Sequence, residues 1–348
     1  MEMIRLGKTE LMVSKLGFGG IPIQRRTEDE AVAVVRKALD MGINFIDTAN
    51  GYTTSEEHIG KAVAGRRGKV IIATKSHSRT REGVEENLKL SLKRLDTEYI
   101  DLYQFHNIAD SDSLNKILAS GGAMALLEEA KRAGVVKHIG VSSHSMDTAK
   151  EMVKSGRFET IMFPFNFIAS ESADELLPLA REHDVGFIAM KPLGGGMLDN
   201  ATIAFKYLFQ FPNVVPIPGI EKVEEMEEIV RVLEGAQQMT EAEEDDMQRL
   251  RDELGSRFCR ACDYCQPCTE GIPISTVLRI DSFAKRMPPE RLFSEAVDKG
   301  MERAVNCTEC GECETRCPYH LPIPGMIAEQ VEWYQEEKRK YQEQLASR

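Results

Sequence analysis

The stretch EDEAVAVVRKALDMGINFIDTA (28–49) carries two periodicities in succession. Its first part spaces apolar residues three and four apart, the stripe of an amphipathic helix. Its last part, INFIDTA (43–49), is a nearly continuous apolar run, as suits a parallel strand covered on both faces. The same alternation extends in both directions. Strand-like runs fall at LGFGG (16–20), KVIIATK (69–75), IDLYQFH (100–106), HIGVSSH (138–144), TIMFPFN (160–166), GFIAMKP (186–192) and VVPIPG (214–219). Helix-patterned segments such as REGVEENLKLSLKRLD separate them. Eight strand–helix repeats predict an α/β fold, a (β/α)8 TIM barrel, with a doubly wound sheet as the alternative.

A length of 348 residues exceeds one average domain and leaves room for a second module. The content of 42% hydrophobic and 29% charged residues is that of a globular protein. A formal charge of −12 argues against nucleic acid as a partner, because that would need a basic stripe. No apolar run reaches the length of a membrane span. The opening residues, MEMIRLGKTE, carry an early acid and no continuous apolar segment, so a signal peptide is not expected and cytoplasmic residence is.

All eight cysteines lie between Cys259 and Cys317. A disulfide framework would be spread through a secreted fold, whereas thiols crowded at one end of a cytoplasmic chain read as metal ligands. The expected division is a barrel over 1–239, a linker helix over 240–255 begun by Thr240, a metal-binding module over 256–325, and a polar helix over 326–348 anchored by Trp333. Residues 107–123 read as a long loop on the catalytic face.

In barrels of this kind the chemistry sits at the C-terminal ends of the strands. Those ends present Asp47, Lys75 and His106, with Tyr52 five residues beyond Asp47. Singly, each has an ordinary structural explanation as a cap, a packing ring or a satisfied polar group. Together they supply what carbonyl reduction requires. Hydride delivered to a carbonyl carbon leaves an alkoxide that needs a proton and a hydrogen-bonding pocket. A phenol, with an unperturbed pKa of about 10, is a poor acid at neutral pH unless its anion is favoured. A nearby ammonium favours that anion, a carboxylate fixes the ammonium, and a histidine orients the substrate oxygen.

The cysteines form two motifs. Cys259, Cys262, Cys265 and Cys268 stand as C-x2-C-x2-C-x2-C; Cys307, Cys310, Cys313 and Cys317 stand as C-x2-C-x2-C-x3-C before Pro318. The second is the cluster-binding run of bacterial ferredoxins. The first has a last spacer one residue short and leaves zinc open as an alternative. Eight thiolates satisfy two [4Fe-4S] clusters with none left over. By ferredoxin logic Cys317 completes the group of Cys259, Cys262 and Cys265, and Cys268 completes the other. The helix-patterned stretch between the motifs resembles an α-helical ferredoxin-like domain.

The segment GINFIDTANGYTTSEEHIG (42–60) resembles the signature of the aldo-keto reductases through Asp47, the DTA tripeptide, Tyr52, Ser55-Glu56 and Gly60. The resemblance covers the barrel: VIIATK supplies Lys75, DLYQFH supplies His106, and GVVKHIGVSSH, FIAMKPLGGGML and VVPIPG follow in order. A subset of that family carries a [4Fe-4S] tail. The resemblance implies Tyr52 as proton donor, Lys75 as modifier of its acidity, Asp47 as holder of Lys75, and His106 as orienter of substrate. It also implies NADPH or NADH lying across the barrel mouth, and the chain lacks the GxGxxG of a Rossmann-type site. The implied cofactor contacts are Gly20, Asp47, Ser142, Ser143, Asn166, Met190, Lys191, Leu193, Gly219 and Lys222. Among these, Ser142, Ser143 and Asn166 stand where the family holds the carboxamide, and Met190 replaces its stacking aromatic. In IEKVEEMEEI (220–229), Glu221 and Glu225 occupy the place of the family's phosphate-gripping cation and Lys222 is the only cation left, so weak preference for NADPH is expected. The expected function is NAD(P)H-linked reduction of small aldehydes, ketones or sugars, with the clusters serving an electron-transfer partner or bracing the fold. The alternative is a nucleotide-binding redox partner or sensor with little turnover.

Overall fold

In the computed structural model, which describes residues 1–236 and 238–346, an antiparallel hairpin comes first, β1 (Met3–Arg5) paired with β2 (Met12–Ser14). Eight parallel strands follow around a second sheet in chain order. They are β3 (Phe18–Gly19), β4 (Phe45–Asp47), β5 (Ile71–Ser76), β6 (Ile100–Phe105), β7 (Val136–Ser142), β8 (Thr160–Pro164), β9 (Gly186–Met190) and β10 (Val214–Ile217). The ring closes between its first and last strands: Gly17 N donates to Pro216 O at 2.9 Å and Gly19 N to Pro218 O at 2.8 Å. A Cβ at Gly19 would stand 2.7 Å from Pro218 O, so the seam requires glycine there.

The helix between β3 and β4, α1 (Glu28–Asp40), illustrates why these segments fold as they do. Thr27 Oγ1 accepts from Glu30 N at 3.4 Å while Glu30 Oε2 accepts from Thr27 N at 3.1 Å, a capping box. Ala31, Val34, Val35 and Ala38, at helical spacing, are buried. The remaining helices of the barrel are α2 (Ser55–Val63), α3 (Arg81–Arg94), α4 (Ser111–Leu118), α5 (Ala123–Arg132), α6 (Met146–Lys154), α7 (Leu176–Glu182), α8 (Ala201–Phe209) and α9 (Val223–Glu234). The expectation of a loop over 107–123 is corrected by α4, whose N-cap Asp110 accepts from Ser113 N at 2.7 Å and whose Leu114 and Ile117 are buried.

Inside the ring, Phe45, Ala73, Leu102, Met162, Ile188 and Val215 form one buried cluster with Ile4, Leu6 and Val13 of the hairpin segment. The hairpin thus plugs the N-terminal end of the barrel with apolar side chains. Strand side chains alternate, so two residues further on the interior is lined by Asp47, Lys75, Gln104, Ser142 and Met190. A polar layer therefore sits on an apolar floor, at the end where barrels carry their chemistry.

The chain divides into two compact units, Met1–Gly194 with Leu198–Thr240, and Gly195–Met197 with the chain from Glu241 onward. The second unit contains α10 (Glu241–Gly255), α11 (Ile274–Val277), α12 (Ile280–Ala284), α13 (Pro289–Leu292), α14 (Glu295–Val305), α15 (Glu312–Arg316) and α16 (Ile323–Ala346). Its core gathers Ile272, Ile274, Val277, Ile280, Leu321 and Ile323 with Cys265 and Cys317. Pro324 is the second residue of α16, where no backbone N–H is needed. Half-buried Trp333 packs against this core, and its neighbour Tyr334 is buried in it and donates to Asp298 Oδ1 at 2.7 Å. Among the described residues no helix is long and apolar enough to cross a membrane.

Candidate active site and cysteine cavities

The polar layer brings Asp47, Lys75, Tyr52 and His106 together. Lys75 Nζ donates to Asp47 Oδ2 at 2.6 Å and to Thr48 O at 2.6 Å, and lies 5.1 Å from the centre of the Tyr52 ring. Gln104 Nε2, from the next strand, donates to Asp47 Oδ1 at 3.3 Å. Burial pushes the Asp47 carboxyl above its usual range against the pull of Lys75. Burial pulls Lys75 down, but Asp47 and Tyr52 outweigh it and the ammonium titrates above its usual range. The His106 ring meets Tyr52 edge to face at 5.8 Å and stacks on His77 at 3.8 Å. Burial first, then the charges of Lys75, His77 and Arg79, hold His106 well below the usual imidazole range, so the ring is neutral. Among the described residues its Nδ1 has no hydrogen-bond partner.

The loop that carries Tyr52 is fixed by residues whose work the sequence did not disclose. Buried Ser55 donates to Gly20 O at 2.7 Å and shares a hydrogen bond with Thr48 Oγ1 at 2.9 Å. Buried Glu56 accepts from Thr74 Oγ1 at 2.7 Å and pairs with Arg94 at 3.4 Å. The Ser-Glu pair of the motif is therefore scaffolding under the tyrosine loop. Arg79 likewise holds the turn after β6, donating to the carbonyls of His106 and Asn107 at 2.8 Å. Gln104, His77 and Arg79 were not singled out from the sequence; Gln104 was findable, two residues before His106 on an inward-facing position.

The residues implied as cofactor contacts line the same end of the barrel, with several polar groups already engaged. Ser142 Oγ accepts from Asn107 N at 2.8 Å, and Ser143 Oγ donates to Ile108 O at 2.6 Å. Asn166 is buried; its Oδ1 accepts from Ile168 N and Ala169 N at 2.9 and 2.8 Å, and its Nδ2 donates to Lys191 O at 3.0 Å. Lys191, with φ of 56°, places Nζ 2.7 Å from His144 Nε2, while His144 Nδ1 meets Asn107 Oδ1 at 2.9 Å. Met190 and Leu193 are half-buried, Gly219 stands at the closing seam opposite Gly19, and Gly20 N donates to Asp47 O at 2.8 Å.

The expectation that Lys222 is the only cation near Glu221 is corrected. Arg26 Nη2 lies 3.3 Å from Glu221 Oε1 and Arg25 Nη1 lies 4.0 Å from Oε2, brought there across the seam. Glu225 is engaged too: its Oε2 accepts from Glu221 N at 3.0 Å and Lys222 N at 3.2 Å, capping α9. Neither carboxylate is a bare charge.

In the second unit the eight thiols line two cavities, each drawing on both motifs. Cys259, Cys262 and Cys265 share one with Cys317; Cys307, Cys310 and Cys313 share the other with Cys268. Burial pushes Cys262 up to about 11 and Cys265 up to about 12, with neighbouring sulfurs adding to both. Among the described residues no three Cys, His, Asp or Glu side chains are gathered so as to hold a single metal ion.

A profile of the Aldo/keto reductase family matches residues 15–203, more than half of the chain. The chain belongs to the aldo/keto reductase family. A 4Fe-4S dicluster domain profile matches residues 258–322 of this reductase, a span that contains all eight cysteines. The reductase is 32% identical over 212 residues to the uncharacterized oxidoreductase YqkF of Bacillus subtilis, covering 57% of this chain and 67% of that one. It is 33% identical over 217 residues to L-galactose dehydrogenase of Arabidopsis thaliana, with the same coverage of 57% and 67%. Among solved structures, it resembles aldo-keto reductase AKR11C1 from Bacillus halodurans in its holo form, with a TM-score of 0.63 and 26% identity over 72% of this chain and 96% of that one.

Proposed function

We propose that this aldo/keto reductase reduces small aldehyde, ketone or sugar carbonyls with NADPH or NADH, and that its cysteine module holds two [4Fe-4S] clusters. The division that goes with this reading is a catalytic barrel over 1–239, a linker helix over 240–255, a cluster domain over 256–325 and a terminal helix over 326–348, with residues 237, 347 and 348 outside those described. The single observation that carries the catalytic part is the buried Lys75–Asp47 pair at 2.6 Å beneath the ring of Tyr52.

A reduced nicotinamide, when bound, supplies hydride to the carbonyl carbon. Tyr52 gives its phenolic proton to the carbonyl oxygen as negative charge grows there. The ammonium of Lys75 stabilises the phenolate left behind, and Asp47 fixes that ammonium and balances its charge. His106, neutral and therefore able to donate from only one ring nitrogen, orients the carbonyl oxygen. Gly20, Ser142, Ser143, Asn166, Met190, Lys191, Leu193, Gly219 and Lys222 would hold the cofactor. The Ser143 hydroxyl donates to Ile108 O and one N–H of Asn166 to Lys191 O, bonds that fix both side chains at the mouth.

The donor sets fit iron–sulfur clusters. Four thiols line each cavity, as a cubane requires. Cys259, Cys262, Cys265 and Cys317 would hold one cluster, and Cys268, Cys307, Cys310 and Cys313 the other. Such clusters, when bound, carry single electrons.

The direct test is cofactor oxidation by anaerobically purified protein against a panel of aldehydes, ketones and sugars. Turnover with some members of the panel is expected. Tight cofactor binding with no turnover of any carbonyl would replace this reading by that of a nucleotide-binding redox sensor.

A further inference from the structure

The two cysteine cavities differ in the charge of their walls. The cavity of Cys259, Cys262, Cys265 and Cys317 is walled by Arg260 and Asp263 among apolar groups such as Leu278 and Leu321. The Arg260 guanidinium lies 3.9 Å over the ring of Tyr319, another wall residue, and donates to Phe258 O at 3.1 Å. Arg279 follows Leu278, is half-buried, and donates from Nε to Ser275 O at 2.7 Å. Ser275 and Leu278, its bonding partner and its chain neighbour, are both wall residues of this cavity, so the guanidinium lies just behind that wall. One cation, Arg260, and one carboxylate, Asp263, thus line the cavity, with a second cation, Arg279, bonded to its wall at Ser275. The cavity of Cys268, Cys307, Cys310 and Cys313 has the opposite balance: its walls carry Glu270, Glu312 and Arg316. Arg316 is paired with Glu312 at 3.0 Å, so the walls carry two carboxylates to one cation, and Glu314, next to Cys313, adds a further negative charge. Solvent contact differs as well, for Cys265 and Cys317 are buried while Cys310 is exposed.

A cubane ligated by four thiolates is already anionic, and reduction adds a further negative charge. Nearby cations favour that addition and nearby carboxylates oppose it, with greater effect where water is excluded. Water also stabilises added charge, so the exposure of Cys310 works against the difference. The same water screens the charges around Cys310, however, and on the side of buried Cys317 the half-buried guanidinium groups are screened less.

We propose that Arg279, together with Arg260, holds the cluster of the Cys317 cavity at a more positive reduction potential than the cluster of the Cys310 cavity. An electron shared within the module then rests on the Cys317 side. This inference rests on the two-cluster reading above, and its test separates the two.

Anaerobic full-length protein is first assayed for iron and sulfide, then titrated by electron paramagnetic resonance, with Cys310→Ser marking the cluster that Cys310 serves. Two reduction waves are expected, the upper one unmoved by Cys310→Ser. Arg279→Gln should lower the upper wave by about tenfold in its reduction equilibrium, about 59 mV for a one-electron couple, while the lower wave stays in place. Arg279→Lys, which keeps the charge, should recover most of that loss. Should Arg279→Gln lose iron, Arg260→Gln supplies the same comparison. A fully loaded arginine variant with unmoved potentials, or an upper wave that belongs to the Cys310 cluster, would overturn the proposal. Four irons per wild-type chain would overturn the two-cluster reading and the proposal with it.

Discussion

Lys75 Nζ stands 2.6 Å from Asp47 Oδ2 where the two side chains are only 2% and 4% exposed. A pair so enclosed cannot fall back on water when one member is removed. Asp47→Ala should therefore destabilise the barrel by about 3–5 kcal/mol, because Lys75 is left as an uncompensated buried charge. The double variant Asp47→Asn with Lys75→Met should recover much of that stability and none of the turnover. Denaturant unfolding of the variants checks the first statement and cofactor oxidation the second. Asp47→Ala protein as stable as wild type would show that the pair does not hold the site.

Tyr52→Phe removes one oxygen and keeps the ring. Turnover should fall by at least ~10²-fold, the usual effect of losing a general acid, while cofactor binding followed by fluorescence is retained. The neutral state of His106 adds a pH statement. With its folded pKa depressed, the ring stays uncharged above the usual imidazole range and takes up a proton only well below it. The acid limb of the turnover profile that belongs to His106 should accordingly lie well below pH 6.5, and His77→Ala, which removes one of the groups holding it down, should move that limb upward. A limb that moves the other way would contradict the assignment.

The pairing of Glu221 with Arg25 and Arg26 makes cofactor choice adjustable at that carboxylate. Glu221→Gln should raise selectivity for NADPH over NADH, since two guanidinium groups are released toward a phosphate. A charge-assisted contact of about 1.5–3 kcal/mol corresponds to roughly tenfold or more in the ratio of kcat/KM values. Arg26→Ala should lower the same ratio. Glu225→Ala should leave it alone and cost about 1 kcal/mol of stability through loss of the α9 cap.

Metal content distinguishes clusters from zinc. Anaerobic protein should hold close to eight irons and eight sulfides per chain, following the two groups of four thiols. Cys317→Ala should perturb the cluster of Cys259, Cys262 and Cys265, and Cys268→Ala the other. Removal of metal should unfold the region beyond about residue 256 first, because a small core depends on its metals, and the barrel should keep its far-UV signal. Zinc in the first cavity and four irons in all would defeat this expectation.

Much of this was legible in the sequence because it obeys short periods. The barrel strands appear as apolar runs, and Asp47, Lys75 and His106 fall at or just past their C-terminal ends, so the tetrad could be assembled by counting. The hairpin of Met3–Arg5 and Met12–Ser14 escaped because strands of three residues are too short to display alternation. The helix within 107–123 did carry a signal, an Asp cap followed by apolar residues at positions 114 and 117. The Arg26–Glu221 pair was out of reach, since it joins residues 195 apart that meet only when the first and last strands close the ring. Trp333 was visible as an anchor by its size and does pack on the core, whereas the role of Tyr334 was hidden because its hydroxyl partner, Asp298, lies on another helix.

The mixed origin of the two cysteine cavities sets an order on synthesis. Neither set of four thiols exists until the ribosome has passed residue 317 for one cavity and 313 for the other. The barrel strands, complete by Ile217, are in hand about a hundred residues earlier. A nascent chain therefore holds all eight barrel strands before its cysteines can form either set. A chain halted between the two motifs would expose Cys259, Cys262, Cys265 and Cys268 to oxidation with no fourth partner for the first three.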